Sequence, residues 1–256
     1  MRAVVASQAE QDAPRECESE ELLRLLQEAG FGIVRRSYPP REVIHEEGDR
    51  APALYVLTSG MAFLLRGHPT KSEIALGLLK AWDAFGNLAF AQDPARRVVV
   101  RALTACEVAK VPGPTLKAAV RRNPSVAMKL ITLQDARLTG YEEFVARVWP
   151  RKTLIRLAAT LLFLCERFPE GDPDAAGPVA IGARFTQEDL AAMVASTRES
   201  VGAAMGELRK RGIIDVQRGI VTVLAPEELR EVSTGRPHRP SSIRHRIPPA
   251  RMDLSA

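Results

Sequence analysis

The pair Arg198-Glu199 has the most specific hydrogen-bonding chemistry in the chain. An arginine can donate two hydrogen bonds to O6 and N7 of a guanine, and a glutamate can accept one from N4 of a cytosine. The hydroxyl groups of Thr186, Thr197 and Ser200 lie close by in the sequence and can donate to phosphate oxygens. We therefore predict that these residues contact double-stranded DNA. The alternative is that Glu199 only caps a helix and that Arg198 is a solvated charge.

Residues 184–224 predict the winged helix-turn-helix that would position this pair. Thr186 is the predicted N-cap of a first helix, and Asp189 three residues later completes a capping-box variant. The second helix is predicted to start at the N-cap Ser196 and to end at Gly212. Apolar runs around a turn follow as a β-hairpin. In such a motif the second helix enters the major groove of DNA.

The region between residues 33 and 111 has a different pattern, in which short apolar runs alternate with glycines and turn residues. This spacing is typical of an all-β barrel or sandwich. Before it, residues 18–29 predict an amphipathic helix that ends at Gly30. Together with the helix-turn-helix, the pattern predicts an α+β chain.

A long helix after Pro124 is predicted to join the β-region to the helix-turn-helix and to end at Trp149-Pro150. Residues along this helix recur at alternating steps of three and four, which is typical of a heptad seam between two helices. The alternative is an amphipathic helix that packs only on its own subunit. The predicted seam consists of Ile131, Gln134, Leu138, Tyr141, Val145 and Val148.

These patterns predict five segments: a disordered tail at 1–17, a β-domain at 18–113, a dimerisation helix at 114–149, a winged helix-turn-helix at 150–226, and a disordered basic tail at 227–256. The formal net charge of +5 permits a nucleic-acid partner. Three dispersed cysteines and the lack of an apolar run of membrane length favour a cytoplasmic protein without a membrane partner.

Two sets of motifs resemble the CRP/FNR superfamily of bacterial transcription regulators. TQEDLAAMVASTRESVGAAMGELRKRGII resembles its helix-turn-helix, in which an Arg-Glu pair that matches Arg198 and Glu199 contacts bases. HEEGD, LYVLTSG, FGNLAF and RALTACEVAKV resemble its cyclic-nucleotide-binding jelly roll. The resemblance implies that the β-domain is an effector-sensing jelly roll. It also implies a homodimer, a near-palindromic operator and contact with RNA polymerase. Cyclic-AMP receptors have a further base-contacting arginine where this chain has Ala203, so the operator is expected to differ.

The same resemblance implies an effector pocket, but several of its groups differ from those of cyclic-AMP receptors. Asn87 replaces the glutamate that holds the ribose, Arg97 replaces a serine beside the phosphate-binding Arg96, and Tyr141-Glu142 replaces a Thr-Ser pair that meets adenine. A neutral amide cannot offer ribose hydroxyls the two acceptor oxygens of a carboxylate. Ordinary binding of cyclic AMP is therefore not expected. The predicted effector-binding residues are Phe85, Gly86, Asn87, Leu88, Arg96, Arg97, Arg137, Tyr141 and Glu142.

The run RKTLIRLAATLLFLCERFPE resembles the nitrogen regulators of cyanobacteria, family members that bind 2-oxoglutarate. The resemblance implies that Arg96, Arg137 and Glu142 hold the effector. Two guanidinium groups suit a dicarboxylate, since each can bind one carboxylate through two hydrogen bonds. No cofactor is certain, and a small anionic effector, either 2-oxoglutarate or a cyclic nucleotide, is the hypothesis. The alternatives are that Arg137 and Glu142 form surface or inter-subunit ion pairs, or that the pocket is vestigial.

Other classes of function find less support in the sequence. His45 and His68 are interpreted as solvated loop residues rather than as haem ligands. An iron–sulfur sensor would need a cluster of N-terminal cysteines, and Cys17 stands alone in that region. No nucleophile–base pair or metal-binding spacing is visible, so the chain is not expected to be an enzyme.

Overall fold

The computed structural model describes residues 18–50, 53–68, 72–86, 95–149, 152–170 and 177–235. The predicted tail at 1–17 and most of the predicted C-terminal tail lie outside these residues, as do Asn87 and Leu88 of the predicted effector pocket.

The N-terminal part is a helix followed by a two-layered β-domain. Helix α1 covers residues 18–28, and Leu22 and Leu26 on one of its faces are fully buried. The strands are β1 (Val34–Tyr38), β2 (Val43–His45), β3 (Ala53–Ser59), β4 (Ala62–His68), β5 (Ser72–Leu79), β6 (Ala84–Phe85), β7 (Val99–Ala102) and β8 (Cys106–Pro112).

The eight strands form two four-stranded antiparallel sheets, with the orders β1-β8-β3-β6 and β2-β7-β4-β5. Their inner faces share a core that includes Leu57, Leu64 and Val100. The tight turn between β3 and β4 requires Gly60, whose φ is +86°, because a Cβ atom there would collide with the carbonyl oxygen of Ala105. This arrangement confirms the predicted jelly roll.

The segment 114–149, predicted as one dimerisation helix, consists of two helices. Helix α2 (Gly113–Arg122) and helix α3 (Ser125–Val148) are separated at Asn123, whose φ and ψ of −139° and 102° are extended. Pro124 explains the break, because a proline disfavours helical geometry at the residue before it.

The C-terminal domain contains helix α4 (Thr153–Arg167), strands β9 (Pro169–Glu170) and β10 (Val179–Ile181), helices α5 (Gln187–Met193) and α6 (Arg198–Lys210), strands β11 (Ile214–Gln217) and β12 (Ile220–Val223), and helix α7 (Pro226–Ser233). Its sheet has the order β11-β12-β10-β9.

Helix α7 corrects the prediction of a disordered tail from residue 227. Pro226 occupies the first turn, where its missing N–H costs nothing, and Glu227 and Glu228 complement the positive helix N-terminus. Leu229 and Val232 are buried, and α7 packs on α4. The helix therefore belongs to the core of the C-terminal domain.

The C-terminal domain docks on the outer face of the β2-β7-β4-β5 sheet of its own chain. The rings of Phe63 on β4 and Phe185 before α5 lie 6.3 Å apart, within one apolar cluster. Arg41 donates from Nη1 and Nη2 to the two carboxylate oxygens of Asp189, over 2.6 and 2.8 Å. None of the described helices is both long enough and apolar enough to cross a membrane.

Candidate DNA-binding surface and effector pocket

The start of α5 has the predicted capping box. The Thr186 hydroxyl oxygen accepts from the backbone N–H of Asp189 at 3.1 Å, and the Asp189 carboxylate accepts from the backbone N–H of Thr186 at 2.8 Å. Burial raises the pKa of Asp189, but hydrogen bonds from Arg41 and Thr186 outweigh this effect, so the net pKa lies below its usual range. The carboxylate is therefore ionised near neutral pH.

The N-cap of α6 is Thr197, one residue later than the predicted Ser196. The Thr197 hydroxyl oxygen accepts from the backbone N–H of Ser200 at 3.2 Å. The Ser196 hydroxyl instead lies 3.0 Å from the Thr153 hydroxyl, at the start of α4. The correction moves Arg198 and Glu199 to the first two positions of α6, where the helix dipole favours the anionic side chain of Glu199.

The predicted DNA-contacting residues are brought together at one exposed end of the motif. Thr186, Thr197, Arg198, Glu199 and Ser200 are all exposed. The Arg198 side chain is 62% exposed, and its Nη1 lies 3.3 Å from a Glu188 oxygen on α5. Because an exposed ion pair contributes little, this contact would not hold Arg198 away from a base.

Behind this surface, α6 ends as the sequence predicts and the wing follows. Gly212 has a φ of +70°, and the N–H of Ile213 donates to the carbonyl oxygen of Leu208 at 3.0 Å, as in a Schellman motif. Strands β11 and β12 are joined at Arg218 and Gly219, whose φ values of 51° and 82° suit a type I′ turn. The hairpin was predicted at this position.

A cleft of about 1000 Å³ separates the N-terminus of α6 from the β-domain. Arg198 and Glu199 line one side of the cleft, and Ile74 and the ion-paired side chains of Glu73 and Arg101 line the other. One side of the predicted DNA-contacting surface therefore faces the chain's own β4–β5 hairpin.

Five of the predicted effector-binding residues lie around one small, nearly closed cavity. Phe85, Gly86, Arg96, Arg97 and Arg137 line one cavity of about 10 Å³, which is room for about one water molecule. The structure thus brings both predicted dicarboxylate-binding arginines to the same cavity.

Tyr141 and Glu142 of α3, the other described members of the predicted pocket, have different positions. The Tyr141 hydroxyl accepts from Nε of Arg137 at 3.1 Å, and Nη1 of Arg137 donates to the Gly86 carbonyl oxygen at 3.0 Å. Glu142 is exposed and lines a shallow surface with Val145. Glu142 therefore does not face the pocket of its own chain.

Arg96 and His45 make the inner wall of the pocket. Arg96 is 2% exposed, and its guanidinium carbon lies 4.7 Å from the centre of the Tyr55 ring. Burial lowers the pKa of Arg96. An anion bound here would offset that cost, because an opposite charge favours the protonated guanidinium.

The interpretation of His45 and His68 as loop residues was wrong, since β2 and β4 end at these residues. His45 is only 5% exposed and packs 5.7 Å from the Tyr55 ring and 5.9 Å from the Phe85 ring. Both of its ring nitrogens are buried without a hydrogen-bond partner among the described residues. A register shift between Val43 and His45 accompanies this inward position, and no sequence pattern marks it.

The predicted seam of α3 is largely uncovered in the single chain. Ile131, Leu138 and Val145, seven residues apart, are 60%, 56% and 52% exposed. Val126, Leu130, Leu133 and Phe144 on another face are buried against the rest of the chain. The helix thus packs on its own subunit along one face and leaves a separate apolar stripe free.

A jelly roll with an internal pocket, joined through a long helix to a winged helix-turn-helix, defines a DNA-binding transcription regulator. Comparison with known proteins identifies the family. The family model described as "Cyclic nucleotide-binding domain" matches residues 35–123, and the "Crp-like helix-turn-helix domain" matches residues 155–232. The chain belongs to the CRP/FNR family of transcription regulators.

Several relatives align over most of their length. The cAMP-activated global transcriptional regulator CRP of Salmonella typhimurium is 28% identical over 73% of this chain and 87% of its own. The global nitrogen regulator of Nostoc sp. is 27% identical over 81% of this chain and 93% of its own length. Among solved structures, a CRP/FNR-family regulator from Thermus thermophilus has a TM-score of 0.65 and 24% identity over 80% of this chain and 100% of its own. The c-di-GMP responsive global regulator CLP of Xanthomonas campestris has a TM-score of 0.64 and 22% identity over 75% of this chain and 94% of its own.

Proposed function

We propose that the chain is a homodimeric regulator that reads a near-palindromic operator with Arg198 and Glu199. The observation that supports this proposal best is the position of both side chains in the first turn of α6, exposed and next to the hydroxyl groups of Thr197 and Ser200. Recognition helices of this class contact bases with their N-terminal residues. An arginine–guanine pair would contribute about 1–3 kcal/mol of discrimination at one base pair.

Operator selection from a random DNA library, followed by affinity measurements over a range of salt concentrations, tests this assignment. In Arg198→Ala we expect loss of operator preference, with weak and salt-dependent binding retained through phosphate contacts. Arg209→Ala is the matched control, because Arg209 is also exposed and lies at the other end of α6. Selection of the same operator by Arg198→Ala would refute the assignment.

The homodimer is proposed from the exposed stripe Ile131, Leu138 and Val145 on a helix of 24 residues. Heptad spacing of apolar residues favours pairing with a second helix of the same kind. A parallel pair would place two α6 helices for successive major grooves, about 34 Å apart. It would also bring Glu142 of each chain towards the partner. Contact with RNA polymerase is proposed from the function of the family.

The proposed effector is a small anion in the β-domain pocket, either 2-oxoglutarate or a nucleotide. Arg96 and Arg137 line the same cavity, and a second guanidinium suits the second carboxylate of 2-oxoglutarate. The names of the relatives carry different effectors, cAMP for one and c-di-GMP for another, so the fold does not by itself select the ligand.

A specific observation favours the alternative of an effector-independent regulator with a vestigial pocket. The cavity has room for about one water molecule, so any effector would have to open it. Thermal unfolding with 2-oxoglutarate, cyclic AMP and cyclic GMP separates the two proposals. A ligand at about 100 times its Kd should stabilise the protein by about 2.7 kcal/mol. A shift that disappears in Arg96→Gln supports the pocket, and the absence of a shift with all three ligands supports the alternative.

The docked arrangement of the two domains is proposed to be the state of low DNA affinity. The recognition helix must enter a groove about 12 Å wide and 8.5 Å deep, and the β4–β5 hairpin borders one side of its N-terminus. Opening of the Arg41–Asp189 contact would allow the recognition helix to move away from the β4–β5 hairpin. An effector could therefore act by changing the balance between the docked and undocked states.

A further inference from the structure

A second cavity, of about 90 Å³, lies where the β-domain, α3 and α4 meet. Its walls include Leu78 and Trp82 of the β-domain, Gly140 and Arg147 of α3, and Phe163 of α4. The walls of this junction cavity and of the predicted effector pocket share Leu64 and Arg137 but otherwise consist of different residues. The junction cavity is therefore a distinct space that touches both domains and the helix between them.

The junction cavity contains a guanidinium that makes no direct contact with a carboxylate among the described residues. The Arg147 guanidinium carbon lies 3.9 Å from the centre of the Phe163 ring, and within the described chain Arg147 makes no hydrogen bond or ion pair. The pKa of Arg147 is lowered to about 10, chiefly by burial; the carboxylates of Glu143 and Glu166 oppose this in part, and the guanidinium of Arg167 adds to it. Arg167, in contrast, is 3.1 Å from a carboxylate oxygen of Asp83. A carboxylate in direct contact with Arg147 would favour its charged form further.

The remaining walls define what such an anion would look like. Leu78, Trp82 and Phe163 offer apolar surface, which favours a hydrocarbon chain. Three guanidinium groups, those of Arg137, Arg147 and Arg167, line the cavity together with the two carboxylates of Asp83 and Glu143. The lining can therefore neutralise one added carboxylate and would repel a second. The volume corresponds to roughly six to nine water-sized positions on the scale used for the effector pocket, so the ligand must be small.

We infer that the junction cavity binds a short-chain monocarboxylate of roughly four to six carbons, with its carboxylate on Arg147 and its chain between Trp82 and Phe163. Arg147 can bind the carboxylate through two parallel hydrogen bonds. The binding site itself is independent of the proposed function. Its regulatory consequence rests on that function, because a ligand touching both α3 and α4 would alter the balance between docked and undocked domains.

The fluorescence of Trp82 provides a direct assay. The chain contains two tryptophans, so the variant Trp149→Phe leaves Trp82 as the sole reporter. The full chain in this background is titrated with butyrate, valerate and hexanoate, and with hexanamide as an uncharged analogue of the same length. We expect saturable binding that strengthens with chain length and is at least about tenfold weaker for hexanamide, since a charge-assisted hydrogen bond is worth about 1.5–3 kcal/mol.

Two variants and a control test the residues. Arg147→Met retains an apolar stem against Phe163 but removes the charge, and should weaken hexanoate binding about tenfold while leaving hexanamide binding unchanged. Gly140→Leu should block both ligands, because a Cβ at Gly140 meets only open space and the side chain would extend into the cavity. Arg122→Met, at the exposed end of α2, is the control and should bind as the parent does.

The outcomes separate the site from its role. The site would be overturned if none of the three acids showed saturable binding, or if Arg147→Met bound hexanoate as tightly as the parent does. DNA affinity is measured in the same ligand series, and a change of threefold or more is expected. Hexanoate binding with unchanged DNA affinity would overturn the regulatory consequence alone. A chain that binds hexanoate but no operator would refute the proposed function and leave the site standing.

Discussion

Replacement of His45 by phenylalanine should remove an acid-sensitive contribution to the free energy of unfolding. His45 is 5% exposed and packs against the stacked rings of Tyr55 and Phe85. Its pKa is lowered from 6.5 to about 4, first by burial and then by the Arg96 guanidinium, with only partial opposition from Asp49. The folded protein therefore holds this ring neutral at a pH where the unfolded chain has already protonated it.

The sign and size of the effect follow from these two pKa values. Because the folded pKa is the lower one, the contribution of His45 is fully present above about pH 6.5 and is lost as the pH falls towards the folded value. The difference between 6.5 and about 4 corresponds to about 3 kcal/mol in total. About 2 kcal/mol of this should be lost between about pH 7.5 and about pH 5.

Urea denaturation followed by circular dichroism at these two pH values measures the effect. Every other titrating group is present in both proteins, so the wild type should lose about 2 kcal/mol more than His45→Phe on acidification. His45→Gln, which also lacks a titrating ring, should behave like the phenylalanine variant in its pH dependence. Equal losses in wild type and both variants would show that His45 is not buried in a neutral form.

Three further predictions concern the domain contact, the helix seam and α7. Arg41→Ala should raise the DNA affinity of the effector-free protein up to about fivefold, since loss of about 1 kcal/mol of docking free energy increases the binding-competent fraction. A gel-shift titration measures this affinity, and Arg41→Lys is the control. An unchanged DNA affinity of Arg41→Ala would contradict the proposal that the docked state has low affinity. Leu138→Glu should yield monomers in analytical ultracentrifugation, because it places two like charges in an apolar seam, whereas Leu138→Ile should remain dimeric; a dimeric glutamate variant would exclude this seam. Leu229→Ala should cost about 2–5 kcal/mol, as expected for a fully buried leucine, and calorimetry showing no loss would mean that α7 is dispensable for the C-terminal fold.

Features that depend on a few neighbouring residues were predictable from the sequence. The capping box at Thr186 and Asp189 needs only residues three apart. The wing turn at Arg218-Gly219 is likewise a local pattern. The N-cap of α6 was misplaced by one residue because Ser196 and Thr197 are both good caps, and the choice is made by Thr153, which lies 43 positions before Ser196.

Other features depend on partners far away in the chain or on signals that were overlooked. Arg41 and Asp189 are separated by 148 positions, and nothing in the residues near either one indicates their pairing. The burial of His45 likewise depends on the rings of Tyr55 and Phe85. Helix α7 could have been predicted from the sequence, because Pro226 is followed by two glutamates and by Leu229 and Val232 at helical spacing, which is a helix-start pattern. The charged, proline-rich residues further on masked that signal.

The two oxygens of Asp189 divide their hydrogen bonds between the domain contact and the first turn of α5. Oδ2 accepts from the backbone N–H and the hydroxyl of Thr186, and also from Nη2 of Arg41, whereas Oδ1 accepts from Nη1 of Arg41. Departure of Arg41 would leave the hydrogen bonds to Thr186 intact, so α5 would keep its first turn. The motif could then leave the β-domain already folded, as a rigid body on the microsecond-to-millisecond timescale of hinge motions, without waiting for any helix to refold.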